Sequence, residues 1–255
     1  WNAQWGAGRV ARYDPDGRLL DSFAAPALAL LAEAGVDLGH LRHTEAATGI
    51  AMIFVDAAGE NVIAVLPGAN GTITAADADT ALAGLGKNDL LLVQQEIPQA
   101  ATRHALQLAQ KQGVTSLLNT APFLADTADL APLASIVVAN ETEFALLSGR
   151  PESELDAAMK EWAAKHQQIL IVTLGGAGVK ALADGKLLAI PALAIKPVDT
   201  VGAGDTFVGY LAAGLDAGLD LETALRRAAA AGSLACLKPG AQPAIPLAAE
   251  VDAAL

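Results

Sequence analysis

The sequence is poor in several residue types, and each shortage closes a class of function. One cysteine, Cys236, stands among 255 residues, which excludes an internal disulfide framework and any multi-cysteine metal site. Four histidines are scattered without H-E-x-x-H or a similar ligand spacing. Basic residues number 16 against 28 acidic ones, a net charge of −12. Nucleic acid is therefore not an expected partner, because its phosphates require a basic footprint. A nucleotide, which one local loop can hold, stays open. Apolar runs are broken by charge, Gly or Pro well short of the roughly 20 residues that a membrane span needs, and no basic stretch leads into an apolar leader. A cytoplasmic location away from membranes is expected. Aromatics are scarce at 4% and uneven. Trp1, Trp5 and Tyr13 all fall within the first 23 residues, WNAQWGAGRVARYDPDGRLLDSF.

What is present is apolar and alternates in type. A 53% apolar content is enough for one large core. Residues 9–13 and 18–20 flank the turn Asp14-Pro15-Asp16-Gly17 and read as a β-hairpin. Residues 27–36 read as a helix ending at Gly35. The runs 48–55 and 61–66, joined by Asp56–Glu60, read as a second hairpin. Beyond residue 75 helices alternate with short apolar strands. Helices are expected at 75–85, 98–112, 141–148, 153–166, 204–217 and 221–237. Strands are expected at 89–94, 115–119, 136–139 and 169–173, then a hairpin at 179–190 and a further strand at 192–196. Short apolar strands between helices signify a parallel sheet covered on both faces. Ligands bind such sheets at the carboxyl ends of the strands. Gln94-Gln95-Glu96, Asn119-Thr120, Asn140–Glu143 and Thr173–Gly176 all fall there.

The stretch most suggestive of chemistry is Pro197-Val198-Asp199-Thr200-Val201-Gly202-Ala203-Gly204-Asp205-Thr206-Phe207. Two glycines at a helix start let backbone N–H groups converge, and the helix N-terminus attracts an anion. Asp205 is out of place beside a resting phosphate unless it takes the proton of an attacking hydroxyl. On the loop alone, Asp205 and Thr206 serve equally well as helix caps. The loop is neither a Walker A sequence nor G-x-G-x-x-G.

The run D-T-V-G-A-G-D-T-F-V-G-Y resembles the C-terminal signature of the ribokinase-like, or PfkB, family of carbohydrate kinases. Asn140-Glu141-Thr142-Glu143 resembles that family's N-x-x-E motif, and Thr173–Val179 its T-x-G-x-x-G nucleotide loop. Lys238-Pro239-Gly240-Ala241-Gln242-Pro243 resembles its K-x-G-A-Q-P turn. Gly59-Glu60-Asn61 and Pro67-Gly68-Ala69-Asn70 are nearest to the ribokinases within the family. The likeness runs over residues 27–255.

The resemblance implies an α/β, three-layer fold with a mostly parallel central sheet and a partial β lid at 48–66. It implies an ATP-dependent transfer to the primary hydroxyl of D-ribose or a similar pentose. Asp205 is then the base and a substrate contact, with Gly202, Ala203 and Gly204 as anion hole. Asn140 contacts phosphate, and Glu143 organises Mg²⁺ through water. Thr173, Gly175, Gly176, Gly178 and Gly204 border ATP. Glu96 holds the sugar, or is simply a carboxylate at a helix start. Asp199 binds K⁺ with the carbonyls of Val201, Ala235, Lys238 and Gly240, or is a plain loop acid. Ala244 and Ala229 depart from the family, which often places Ser at the K⁺ shell and Asn or His beside adenine. Cys236 reads as a buried, inert thiol. The family's lid also implies a homodimer through 48–66.

The front differs. The family's first strand, its early sugar contact and its G-G-K-G-A-N clasp have no counterpart in this sequence. Residues 1–26 stand in their place as an atypical β-hairpin segment before the kinase domain at 27–255. Residues 1–23 resemble a blade of the SMP-30/gluconolactonase-type β-propellers, and pairing of this segment with 48–66 is expected. A lactone hydrolase is excluded because the other blades and their acidic metal ligands are absent. The alternative to a working kinase is a truncated or rearranged chain that binds nucleotide but turns over no sugar.

Overall fold

The computed structural model describes residues 2–6, 9–13, 19–24, 31–55 and 61–255. The chain forms two compact units, residues 1–83 with 96–101 and residues 84–95 with 102–255.

The first unit holds a five-stranded antiparallel sheet among the described residues, in the order β3-β2-β1-β4-β5. Its strands are β1 (Asn2–Gly6), β2 (Arg9–Tyr13), β3 (Leu19–Ala24), β4 (Ile50–Val55) and β5 (Asn61–Leu66). β2 and β3 pair as the sequence suggests, Val10 opposite Phe23. β4 and β5 likewise pair from Ile50–Leu66 to Val55–Asn61. The expected pairing of the front segment with 48–66 is made by β1, a strand the sequence pattern does not single out: Asn2 lies opposite Met52 and Gln4 opposite Ile50. The front segment thus joins the 48–66 hairpin edge to edge. The turns 14–17 and 56–60 and the start of the helix expected at 27–36 lie outside the described residues. Residues 31–33 are helical, and Gly35 follows with φ +79°, as a C-terminal glycine should. Thr74 and Asp77 then form a reciprocal capping box on α1 (Ala75–Leu82), satisfying donors that a helix start otherwise leaves open.

The second unit is built on a six-stranded sheet ordered β11-β10-β9-β8-β7-β6. β6 (Leu90–Val93), β7 (Thr115–Asn119), β8 (Ile136–Asn140) and β9 (Ile169–Thr173) run parallel. β10 (Val179–Ala183) and β11 (Lys186–Ile190) complete it antiparallel. Their turn, Asp184-Gly185, has φ +48° and +74°, the paired positive φ values that a two-residue hairpin needs. The period of two sorts the side chains between faces. Leu118, Val137, Ala139, Leu170 and Val172 face one way, onto Leu106, Phe144, Met159 and Trp162. These come from α2 (Gln99–Gln112), α4 (Glu141–Ser148) and α5 (Leu155–His166). Single-turn α3 (Thr127–Leu130) lies between β7 and β8 in sequence. Leu117, Ile136, Val138 and Ile171 face the other way, onto Phe207, Val208, Leu211, Ala224, Leu225 and Ala228. Those belong to α6 (Ala203–Asp216) and α7 (Leu221–Ala235). A Cβ on Gly214 would come within 3.2 Å of the Ala224 methyl, so small residues set how closely α6 and α7 approach. Short α8 (Ala248–Asp252) closes the chain.

The fold is thus α/β in three layers, as expected. One element is corrected: residues 192–196 form no strand. Leu193 N–H donates to Ser233 Oγ at 3.2 Å instead of to a neighbouring strand, and Pro191 and Pro197 bracket the segment, which disfavours a ladder. Among the described residues no helix is long and apolar enough to cross a membrane.

Ile171 is fully buried in the central sheet. Ile171→Ala should lower the unfolding free energy by about 2–5 kcal/mol, seen as a lower midpoint in urea. A loss below about 1 kcal/mol would show that this face is not the core.

Candidate active site

The carboxyl ends of β7, β8 and β9 lie side by side, with Asn140 opposite Thr173. Asn140 is the N-cap of α4: its Oδ1 accepts the Glu143 N–H at 2.8 Å, and Glu143 Oε2 accepts the Asn140 N–H at 3.0 Å. The N-x-x-E pair is therefore a capping box as well as a candidate site. Thr120, fully buried after β7, donates its hydroxyl to the same Oε2 at 2.9 Å. Glu143 Oε1 has no hydrogen-bond partner among the described residues, and the side chain is half-buried.

After β9 the chain makes one 3₁₀ turn, Gly175–Ala177, ending at Gly178. Gly178 has φ +98°, and a Cβ there would fall 2.1 Å from the Ile190 carbonyl oxygen. Glycine is obligatory at 178 so that the loop can lie against the end of β11. Gly175 has φ +51° with open space around it, and Gly176 has open space and no positive φ.

α6 begins differently from α4. Gly202 is its N-cap with φ +74°, and no side chain caps it. A Cβ on Gly202 would meet Ala241 at 3.2 Å. Asp205 sits exposed in the first turn, its carboxylate without a hydrogen bond among the described residues. Capping by Asp205 or Thr206 is thus not what these residues do here. The N–H groups of Gly204 and Asp205 also have no partner among the described residues, and Thr206 Oγ1 is buried without one.

Asp199 anchors this start. Its Oδ1 accepts the Val201 N–H at 3.0 Å and its Oδ2 the Gly240 N–H at 2.9 Å. These donors, Gly240 first, hold the carboxyl below the usual range, since hydrogen bonds to the charged form favour it. Val198 and Asp199 both donate backbone N–H to the Cys236 carbonyl, at 2.7 and 3.2 Å. Of the other candidate K⁺ ligands, Ala235 is buried and its carbonyl accepts the Lys238 N–H at 3.5 Å. The Lys238 ammonium pairs with Glu250 at 3.2 Å. Among the described residues no backbone N–H donates to the carbonyls of Val201, Lys238 or Gly240.

Both loops open onto one cleft of about 360 Å³, within the range of small-molecule sites. Thr173, Gly175, Gly176 and Gly178 line one part of it, and Ala203 and Gly204 another. Thr200 and Ser233 add polar groups, and much of the remaining wall is apolar and was missed by sequence reasoning: Ala192–Ile195, Phe207 and Gly232. The flanking prolines were the available signal for 192–196. Ala229 lines the cleft too, and Ala244 is fully buried. Cys236 is corrected from core residue to half-buried cleft wall. Burial, then the charge of Asp199, raises its thiol pKa, so it stays protonated and donates to the Gly232 carbonyl. Glu96 belongs to the first unit, where it is exposed just before α2.

Residues 20–248 match the sequence profile of the pfkB family carbohydrate kinases. The chain is 34% identical over 240 residues to a ribokinase of Schizosaccharomyces pombe, covering 91% of this chain and 76% of that protein. Two solved structures superpose closely. A ribokinase from Cryptococcus neoformans var. grubii in complex with ADP has TM-score 0.77 at 31% identity, covering 89% of this chain and 78% of its own. The Arabidopsis thaliana ribokinase complexed with ribose and ATP has TM-score 0.76 at 28% identity, covering 91% and 78%.

Because its folded pKa is lowered, Asp199 contributes stability that is present above the unfolded value near 3.8 and lost as pH falls through the folded one. A ¹³C NMR titration should place the Asp199 carboxyl midpoint below 3.8. A midpoint at or above that value would show that the two N–H contacts are not made.

Proposed function

Since the chain belongs to the pfkB family of carbohydrate kinases, we propose that it transfers the γ-phosphoryl group of ATP to the primary hydroxyl of D-ribose or a similar pentose. The meeting of loops 173–178 and 202–204 on one cleft carries this reading. Gly176 and Gly204 strengthen it. Neither has a positive φ, and neither has an atom within 4 Å of where a Cβ would stand. Packing does not require glycine at these two positions, which leaves their backbone open to close approach by a ligand.

In this reading Asp205 accepts the proton of the attacking hydroxyl, for which its exposed, unbonded carboxylate is suited. The unpaired N–H groups opening α6, with Gly202 and Ala203 shaping the turn, hold the transferring phosphoryl oxygens. Thr173, Gly175, Gly176 and Gly178 border the nucleotide, and Asn140, beside Thr173, reaches its phosphates. Asp205 contacts the sugar. Glu143 fits Mg²⁺: one half-buried carboxylate with a free oxygen suits an ion that keeps most of its waters. Bound there, the ion would neutralise phosphate charge. Asp199 fits K⁺, since each of its oxygens has lone-pair capacity beyond one N–H. The carbonyls of Val201, Lys238 and Gly240 lack backbone donors among the described residues, and Ala235 completes the set. Location in the cytoplasm accords with this chemistry. The propeller-like residues 1–23 are read as a foreign hairpin standing where the family's sugar-binding strands belong. β5, the outer strand of its sheet, offers an edge for a homodimer.

A second reading is that the chain holds nucleotide without turning over sugar; a cleft lined by the candidate nucleotide loops and not by Asp205 favours it. Ribose-dependent ADP release separates the two. ATP binding without ADP release would establish the second. In the first, Asp205→Asn should lower turnover by about 10²–10⁴-fold while ATP affinity, by calorimetry, stays within about twofold. Turnover near that of the unmodified chain would remove Asp205 from the role of base. Sedimentation velocity should show a dimer, and a monomer at all concentrations would contradict pairing through β5.

A further inference from the structure

Behind Glu143 lies a buried polar chain that the reaction described above does not use. Gln95, 2% exposed, donates its Nε2 to the carbonyls of Thr120 at 2.9 Å and Pro122 at 3.0 Å. Its Oε1 accepts the hydroxyl of fully buried Thr127 at 3.0 Å. Thr127 Oγ1 in turn accepts the Leu124 N–H at 2.8 Å. The backbone of Thr120 is further held by its own N–H, which donates to the Val138 carbonyl at 2.9 Å. The Thr120 hydroxyl has one proton and two acceptors within reach: Glu143 Oε2 at 2.9 Å and the Val138 carbonyl at 3.3 Å. The nearer, charged acceptor takes it.

We propose that Thr120 is a positioning residue, held by the Gln95–Thr127 clamp, that fixes the direction of the Glu143 carboxylate and so presents Oε1 to a hydrated divalent cation. This rests on the reading of Glu143 as the Mg²⁺-organising group. The geometry supports it in two ways. The capping box alone gives Oε2 one donor, from an exposed helix start, and leaves the carboxylate able to swing about that bond. A second donor from a fully buried residue removes the swing and occupies Oε2, so Oε1 is the oxygen left for a ligand.

The test is a calorimetric titration of ATP binding at varied Mg²⁺, run on the full chain and on three variants. Thr120→Val removes the donor at nearly constant volume, and Thr120→Ser keeps it. Glu143→Gln tests the underlying reading. Thr120→Val should raise the Mg²⁺ concentration giving half the metal-dependent gain in ATP affinity by about tenfold, the low end for loss of an outer partner. ATP affinity without metal should be unchanged, and Thr120→Ser should restore the Mg²⁺ midpoint. If Glu143→Gln shifts the midpoint and Thr120→Val does not, the role of Thr120 is overturned. If neither shifts it, the reading of Glu143 fails and takes the role of Thr120 with it. If Thr120→Val does not fold, Thr120→Ala, which adds no bulk, is read by the same criteria. A fall in melting temperature without a shifted midpoint marks Thr120 as structural only and overturns the proposal.

Discussion

The two oxygens of Asp199 hold the site's two distant sequence segments together. One takes the Val201 N–H and the other the Gly240 N–H, so the loop before α6 is tied to the turn near the chain's end. The close approach of Gly202 to Ala241 depends on that tie, and so does the direction in which α6 emerges. α6 carries both Asp205 and the amides of the proposed anion hole. With the loop untied, the N-cap glycine would keep its permissive φ but lose the wall that fixes its neighbours.

The contrast between helix starts is instructive. Thr74, Asn140 and Asp220 each cap their helix with a side-chain oxygen. α6 has none. A helix that leaves its first donors unpaired forgoes about 1 kcal/mol of capping stabilisation, and that is tolerable where the donors have other work. A capping oxygen at Gly202 would fill the place that the proposed function reserves for phosphate. The N-cap of α4 sits between these cases. Asn140 and Glu143 satisfy the helix and still present groups beside the cleft, so a capping role and a proposed ligand role share the same two side chains.

Much of this was legible beforehand. The strands of the second unit were, because apolar runs of four or five residues between helices leave few alternatives. Gly178 and Gly202 were legible as motif positions, although the steric reasons for them, the Ile190 carbonyl and Ala241, are long-range contacts that no local pattern carries. Residues 192–196 are apolar enough for a strand, but their backbone meets a side chain, Ser233 Oγ on Leu193 N–H, and no neighbouring strand among the described residues. Asn2–Gly6 is too short, and too close to Gly6 and Gly8, to be singled out as a strand, although the pairing of the front segment with 48–66 that it makes is expected. Thr120 was legible only as a polar residue on the strand rim. Its hydroxyl matters through Glu143, 23 positions further on, and sequence proximity gives no hint of that.

The second unit's sheet ends at β6, whose Leu92 is 41% exposed and which pairs only with β7 among the described residues. A terminal strand of four residues, Leu90–Val93, with no charge of its own, is a template for pairing with any extended apolar peptide. Its defence is brevity and its borders, Lys87-Asn88-Asp89 before it and Gln94 after. The polar residues flanking this strand therefore act as gatekeepers, and replacing Lys87 or Asp89 by an apolar residue would lengthen the apolar edge on offer.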